Sequence, residues 1–343
     1  MKIKIGNKYV GEDEPAYIIL EIARTYENDI EKAKKMIKIA AESGADAVKI
    51  QSIDAKGLLI NNEKNKEYYS KLKKLERTKE EHVELMKCCK ENNIEFLSTP
   101  ESFETINILD EIGVNAYKVA SLDLTYSKFL KHMARKNKPI ILSTGMASEE
   151  EIKKAIEVIK KEGNEKIILL HCVSLYPPEI KELNLAMINR IKNFNVLPGF
   201  SDHTPDIKAS LCAIALGAKV IEKHFKIDSG EGSEWKGDYD VAINPEQAKE
   251  LAVYAKQLAK SHKSIKELPD REVERRKVRG RKIVANKNLS IGDEIKEEDI
   301  ICLQNLENLG IDCDNIEKII GKKLKRNISK GEILEEWDIE LNR

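Results

Sequence analysis

Two histidines, His203 and His224, carry the clearest chemistry in this chain. His203 stands in Gly199-Phe200-Ser201-Asp202-His203-Thr204 and His224 in Val220-Ile221-Glu222-Lys223-His224-Phe225. Each follows a short apolar run that reads as a buried strand, and residues 205–216 between them read as a helix. Imidazoles at the C-terminal ends of consecutive strands in a βαβ unit can converge on one divalent cation, at the end of a parallel barrel where chemistry is built. A lone strand-end histidine is more often a core or loop residue. The inference therefore rests on the company the pair keeps.

Ionisable and hydroxyl residues recur at the end of nearly every other apolar run. Glu21 closes the first run, and Lys49 and Gln51, two apart and so on one face, close the second. Thr99, after Ser98, follows on the third, and Lys118, Ser121 and Asp123 on the fourth. Ser143 with Thr144-Gly145 ends the fifth, and His171, Ser174 and Tyr176 end the sixth. Two lysines aimed into a barrel mouth are costly to bury unless they meet an anion. The hydroxyls and the glycine turn add donors of the kind phosphate oxygens accept. A phosphorylated, carboxylated substrate would satisfy both lysines.

The elements that must position these residues alternate along the chain. Apolar runs at 17–22, 47–50, 95–99, 116–120, 139–143, 167–171, 196–200 and 220–224 are separated by amphipathic segments at 29–43, 78–92, 102–112, 127–136, 148–162, 184–192, 205–216 and 245–261. Ser148-Glu149-Glu150-Glu151 is a capping box, and Asp29 and Thr78 are placed to accept orphan helix N–H groups. Eight strands each followed by a helix over about 250 residues predict a (β/α)8 TIM barrel rather than a doubly wound sheet. A hairpin over 3–10, turning at Gly6-Asn7, precedes it. The expected organisation is a barrel over 1–262, a linker with a helical patch over 263–280, and a thin second domain of short strands and turns over 281–343. In that last stretch the strand readings are 283–285, 289–292, 321–324 and 328–331.

Composition narrows the partners. The 343 residues carry 59 Lys+Arg against 59 Asp+Glu, so no net charge points to nucleic acid or an acidic membrane. No apolar run reaches the roughly 20 residues of a membrane span, and residues 1–6 lack a secretory apolar core, so a cytoplasmic protein is expected. Lys and Glu are abundant and Gln scarce, as in heat-adapted proteins. The six cysteines show no CxxC spacing and are expected to be reduced and buried, Cys172 in the core.

The strand-end stretches together resemble the sialic acid (N-acetylneuraminate) synthases and their nonulosonate-synthase relatives. The matching segments are Glu21-Ile22, Gly44-Ala45-Asp46-Ala47-Val48-Lys49-Ile50-Gln51, Phe96-Leu97-Ser98-Thr99-Pro100, Ala116-Tyr117-Lys118-Val119-Ala120-Ser121, Ile141-Leu142-Ser143-Thr144-Gly145-Met146, His171-Cys172 with Tyr176-Pro177, Ser201-Asp202-His203-Thr204 and Glu222-Lys223-His224-Phe225. From Arg281 the tail resembles the family's antifreeze-like (SAF) β-clip domain, above all at Gly321-Lys322-Lys323-Leu324 and Ile328-Ser329-Lys330-Gly331-Glu332. The resemblance implies condensation of phosphoenolpyruvate with the open-chain aldehyde of an N-acetylated mannosamine-type sugar, giving a nine-carbon 2-keto acid and phosphate. It implies a divalent metal (Mn2+, alternatively Mg2+ or Co2+) on His203 and His224, polarising the aldehyde. Lys49, Lys118, Thr99, Ser121 and Ser143 would grip phosphoenolpyruvate, and Glu21 would be the base for the water that captures C2. Gln51, Asp123, Ser174 and Tyr176 would meet the sugar. It also implies a homodimer in which the SAF domain of one chain covers the partner's barrel mouth.

The chain departs from that family at sugar-facing and loop positions. Thr25-Tyr26-Glu27-Asn28 replaces Asn-His-x-Gly, and a longer segment at 229–240, containing Trp235, replaces a Gly-Pro-Asp. Asp123 stands for a frequent Glu, Ser174 for a frequent Asn, and Leu303-Gln304 where the small domain usually carries Lys-Arg-Pro-Gly. These changes imply an acceptor other than plain N-acetylmannosamine, such as a 2,4-diacetamido-6-deoxy hexose. Two other readings compete: a Schiff-base aldolase or lyase on the same barrel using Lys118 or Lys49, and a catalytically inactive carbohydrate-binding homologue.

Overall fold

Backbone pairing and apolar burial divide the chain into two compact units, Met1–His262 and Lys263–Arg343. The computed structural model describes residues 1–261, 266–307 and 309–340. The first residues of the expected linker and the last three of the expected small domain lie outside the described residues.

The first unit opens with an antiparallel hairpin, β1 (Lys2–Ile5) and β2 (Lys8–Gly11), turning at Gly6-Asn7. Eight parallel strands follow: β3 (Tyr17–Glu21), β4 (Ala47–Ser52), β5 (Glu95–Pro100), β6 (Tyr117–Val119), β7 (Ile140–Ser143), β8 (Ile167–Cys172), β9 (Leu197–Asp202) and β10 (Val220–His224). Their lateral order is β5-β4-β3-β10-β9-β8-β7-β6, so β10 pairs back onto β3, and β5 and β6 adjoin to close the circle. This is the (β/α)8 barrel the alternation predicts.

Period-two alternation divides the side chains of the sheet into two sets. Tyr17, Ile19, Ala47, Leu97, Ile141, Ile168 and Leu170 form an inner cluster together with Ile3, Ile5 and Val10 of the hairpin. The hairpin thus stoppers the N-terminal end of the barrel. The other set, including Ile18, Leu20, Val48, Phe96, Leu142, Leu169 and Phe200, packs against the helices. At Gly199 a Cβ would lie 2.8 Å from the Val220 carbonyl oxygen, so glycine is what lets β9 and β10 approach.

The helices begin where side-chain oxygens can serve their first N–H groups. Asp29 accepts from Glu31 and Lys32, and Thr78 and Ser148 form capping boxes with Glu81 and Glu151. The segment expected as a helix over 205–216 forms Lys208–Ala215, and that over 184–192 contracts to Met187–Ile191. Three helices escaped the periodicity argument: Ala55–Leu58, Lys66–Lys73 and Lys236–Val241. They are short and bury little, so no long apolar stripe announces them.

In the second unit the helix Asp270–Arg279 precedes β11 (Arg281–Ala285), which pairs antiparallel with β12 (Ile300–Gln304). The expected segments near 289, 323 and 328 appear as isolated bridges, Leu289 with Ile328 and Glu294 with Lys323, around a small core of Ile283, Ile295, Leu324, Leu334 and Ile339. The expectation of six reduced, buried cysteines is corrected here. Cys302 on β12 and Cys313 form a disulfide with Cα atoms 6.1 Å apart, and Cys212 is exposed. Lys282 of β11 pairs with Leu303 on one side and bridges Asp312 on the other, which brings the two thiols together across a sequence gap of 11.

Candidate active site

One residue beyond the apolar inner cluster, the inward positions turn polar. Strand register sets Glu21 opposite Lys49 on one side and His224 on the other, Gln51 opposite Thr99, and Glu222 opposite Ser201. The strand ends open into a cavity of about 660 Å³. Eleven of the twelve site residues read from the sequence line it: Glu21, Lys49, Gln51, Thr99, Lys118, Ser121, Ser143, Ser174, Tyr176, His203 and His224. Asp123 does not. It is buried beside the cavity in the turn after β6, and burial pushes its carboxyl up to about 6.

Both lysines are held by partners within the chain. Lys49 contacts the Glu21 carboxylate, donates to Thr99 Oγ1 at 2.9 Å and lies 3.9 Å from Glu222 Oε2. Lys118 donates to Ser143 Oγ at 2.7 Å and to the Val119 carbonyl at 3.0 Å, with Glu222 Oε1 at 3.6 Å. Burial pushes the Lys49 ammonium down to about 8, opposed by Glu222 and assisted by Lys118. The Glu21 carboxylate in contact favours the charged form, so Lys49 is an ammonium at neutral pH. Burial also disfavours the Glu222 carboxylate, but Lys118 and Lys49 outweigh it, helped by the Ser201 hydroxyl at 3.0 Å, and hold it below the usual range. Two positive and two negative charges thus share the floor. Glu21 is aimed by the Ala23 N–H, 2.7 Å from its Oε1, which leaves Oε2 toward Lys49.

The imidazoles of His203 and His224 lie with ring centroids 5.6 Å apart. His203 Nδ1 donates to the Val173 carbonyl at 2.9 Å, which leaves Nε2 as the acceptor; it takes the Tyr176 hydroxyl at 3.0 Å. His224 Nδ1 is buried without a hydrogen-bond partner, 3.4 Å from Asp238 Oδ1. Burial, then the charges of His203 and Lys49, hold His224 far below its ordinary value and so neutral. A divalent ion needs neutral imidazole nitrogens, and His224 supplies one. At His203 burial is outweighed by Cys172 and the Val173 carbonyl, which raise its pKa, and its Nε2 lone pair is taken by the Tyr176 hydroxyl that an ion would displace. Among the described residues no three His, Cys, Asp or Glu side chains form a closed metal cage. Two neighbouring imidazoles, His203 and His224, are the nitrogen donors available here to a divalent ion.

The opposite wall is a hydroxyl cradle. Ser121 Oγ accepts the Gly145 N–H at 3.0 Å, and a Cβ on Gly145 would run into Ser174 Oγ and Ser121 Oγ. His171, grouped with these on the sequence, turns away: its Nε2 meets the Leu183 carbonyl at 2.6 Å and its ring stacks on Phe200. Cys172, expected in the core, is buried and also borders the cavity beside Ser121 and His203. Sequence reasoning also passed over Arg24, Glu101, Ser201, Glu222 and Asp238, which line the same cavity. Glu222 and Ser201 were legible, since each stands two residues before a singled-out histidine and so shares its face. Arg24 and Glu101 lie in turns and Asp238 on the short helix Lys236–Val241, where no strand period assigns a direction.

Among the described residues, six buried polar atoms of the cavity lack a hydrogen-bond partner: Glu21 Oε2, which has only its ionic contact with Lys49, Arg24 Nε, Gln51 Oε1, Glu101 Oε2, Glu222 Oε2 and His224 Nδ1. Such concentration marks a place that a ligand completes. A cavity of about 790 Å³ at the hairpin end of the barrel contains none of them; its Lys8–Asp46 and Asn115–Glu95 contacts are internally satisfied.

Residues 36–267 match the NeuB family and residues 280–340 the SAF domain. The chain is 36% identical over 334 residues to the N,N'-diacetyllegionaminic acid synthase of Campylobacter jejuni, covering 93% of this chain and 98% of that one. It is 37% identical over 344 residues to an uncharacterised protein of Methanocaldococcus jannaschii, covering 98% of both. Among solved structures, the N-acetylneuraminic acid (sialic acid) synthetase of Leptospira borgpetersenii, in complex with citrate, superposes with a TM-score of 0.74 at 32% identity, over 80% of this chain and 96% of that one.

Proposed function

The chain belongs to the NeuB family and carries a SAF domain, and on that premise we propose that it condenses phosphoenolpyruvate with an N-acetylated aldose, releasing phosphate. The product would be a nine-carbon 2-keto acid of the sialic-acid type. What supports this reading is the paired arrangement of the floor: two buried lysines, a hydroxyl cradle and an oriented carboxylate beside two neighbouring imidazoles, of which His224 keeps an unpartnered nitrogen.

In this reading Lys49 and Lys118 neutralise the phosphate and carboxylate of the enol substrate, and Thr99, Ser121 and Ser143 donate to its oxygens. The C2=C3 electron pair of the enol attacks the aldehyde carbon through C3; a C–C bond forms, the C=O π bond breaks, and the resulting alkoxide takes a proton from solvent to become a hydroxyl. Positive charge develops at C2, where Glu21 and Glu222 stabilise it. Water adds to C2 with Glu21 Oε2 taking its proton, and the C2–O bond to phosphate breaks to leave the keto acid. His203 and His224 would hold a divalent ion, Mn2+ or alternatively Mg2+ or Co2+, which when bound supplies a Lewis acid for the aldehyde oxygen. Gln51, Ser174, Tyr176 and Asp238 are set to meet the sugar, with Asp123 acting from behind the wall. The acceptor we favour carries two acetamido groups, in line with the departures at 25–28 and 229–240 and with the name of the Campylobacter jejuni relative.

The same reading makes the enzyme a cytoplasmic homodimer. No helix among the described residues is long and apolar enough to cross a membrane. Ile60, Leu122, Met146, Leu175 and Ile180 stand exposed on the barrel's mouth-side loops, an apolar rim suited to the partner's SAF domain. Light scattering of the whole chain tests the dimer.

A buried lysine pushed down to about 8 also suits a Schiff-base aldolase. That reading leaves the imidazole pair idle. Phosphate release from phosphoenolpyruvate with a panel of N-acetylated sugars, before and after EDTA and with Mn2+, Mg2+ or Co2+ restored, tests the proposal. Trapping of a lysine adduct by borohydride with EDTA-insensitive turnover would replace it.

A further inference from the structure

Above the catalytic floor, three segments that follow the ends of strands meet beside the cavity. Arg24 comes from the turn Ala23–Tyr26, Leu58 and Leu59 from the insertion after β4, and Trp235 from the loop after β10. The Arg24 guanidinium lies 4.4 Å from the centre of the Trp235 ring, and its Nη1 donates to the Tyr68 hydroxyl at 3.2 Å. Trp235 is fixed in turn by an edge contact with Tyr68 and, like Leu58 and Leu59, by packing on the small core of Ile53, Ala55, Leu72 and Leu75. A guanidinium stacked on Trp235 and tied at Nη1 to Tyr68 keeps other donors for a ligand. Nε is buried and has no partner, and Glu101, on the same cavity wall, has a buried Oε2 that also has none.

A donor and an acceptor left unpaired beside two leucines complement one functional group in particular. We propose that Arg24 and Glu101 form a subsite for an acetamido group of the acceptor: the amide carbonyl accepts from Arg24, the amide N–H donates to Glu101, and the methyl group rests on Leu58 and Leu59. This rests on the reading of the acceptor as an N-acetylated aldose. Its aldehyde carbon must lie against the enol at the floor, so the part that reaches the rim is the far part of the sugar. The acetamido group read here is therefore additional to one beside the aldehyde. An anionic substituent such as a phosphate is disfavoured. Burial raises the carboxyls of Glu101, to about 7, and of Asp238, and Arg24 opposes the rise in both, so an anion brought to the guanidinium would also meet two carboxyl groups.

The test compares a 2,4-diacetamido hexose with N-acetylmannosamine and its 6-phosphate, on the wild type and on Arg24→Leu, Glu101→Ala and Trp235→Ala. In the wild type the diacetamido sugar should have the lowest KM, and the phosphorylated sugar should be the poorest substrate. Arg24→Leu and Glu101→Ala should raise KM for the diacetamido sugar roughly 10- to 100-fold, leave KM for phosphoenolpyruvate unchanged and abolish the preference over N-acetylmannosamine. Trp235→Ala should do the same to a smaller extent. An unchanged preference in Arg24→Leu overturns the subsite, as does a wild type that favours the phosphorylated sugar. Calorimetric binding of the diacetamido sugar reads the subsite without turnover. Arg24-dependent binding with no phosphate release would sink the condensation and keep the subsite, whereas absence of binding to the wild type would sink the subsite.

Discussion

Replacing Lys223 by Met should cost about 3 kcal/mol of stability, although the side chain touches no substrate. Lys223 and Asp202 are wholly buried, 3.3 Å apart, on neighbouring strands β10 and β9. At an effective dielectric near 20 that separation corresponds to an attraction of about 5 kcal/mol. Burial nevertheless lowers the Lys223 ammonium below its ordinary value against the pull of Asp202, so desolvation offsets much of the attraction and the intact pair is nearly neutral overall. Removing the cation alone strands a carboxylate in the interior, at a cost of about 3–5 kcal/mol. The lower end applies because Asp202 keeps three donors: Thr204 N at 2.8 Å, Thr204 Oγ1 at 2.7 Å and Ser210 Oγ at 2.5 Å. Denaturant unfolding of the wild type, Lys223→Met and Lys223→Met with Asp202→Asn closes the argument. The double variant should recover at least about 1.5 kcal/mol relative to Lys223→Met, since the stranded charge is gone. A Lys223→Met protein as stable as the wild type, or a double variant less stable than the single one, refutes the reasoning. His203 and His224 each follow one member of this pair, so Lys223→Met should also weaken Mn2+ binding measured by calorimetry.

Three further outcomes are expected. His203→Ala and His224→Ala should each abolish metal-dependent phosphate release while circular dichroism stays that of the wild type; full activity in either removes the metal assignment. Glu21→Gln should lower kcat by roughly 10²–10⁴ with little change in the KM for phosphoenolpyruvate, and a near-wild-type rate would take Glu21 out of the role of base. Burial lowers the pKa values of His82 and His171, so the unfolded chain binds protons before the folded one does. Stability should be level above about pH 7 and fall as pH drops below about 6.5, by up to about 1.4 kcal/mol per pH unit for each histidine. Thermal melts from pH 8 to 5 should show that decline, with a shallower slope in His82→Gln; an identical slope would assign it to other groups.

The barrel and its polar floor were readable because both follow the period of two. Once Ile19, Ala47 and Leu97 are inside, Glu21, Lys49 and Thr99 must be inside too. The rim was not readable on those terms. Arg24 faces the cavity because the turn Ala23–Tyr26 and the clamp on Trp235 put it there, and neither leaves a periodic trace. Asp123 fell just outside the cavity for the same reason, one turn beyond the end of β6. Cys172 is buried as expected and shares the inward face of Leu170, two residues before it; standing one inward position further along β8, it also borders the cavity. In the small unit, Cys302 and Cys313 meet only because β11 holds a neighbour on either edge, a tertiary fact with no local spacing.

The hairpin at the start of the chain has a kinetic corollary. Because Ile3, Ile5 and Val10 seal the barrel beneath the lysines, the reaction chamber is a blind alley with a single doorway. In the proposed reaction the smaller anion would occupy the dead end and the sugar would follow it in. Departure would reverse that sequence, the nine-carbon acid leaving ahead of inorganic phosphate. Turnover would then be obligatorily ordered, a queue imposed by a plugged tube rather than by any moving part.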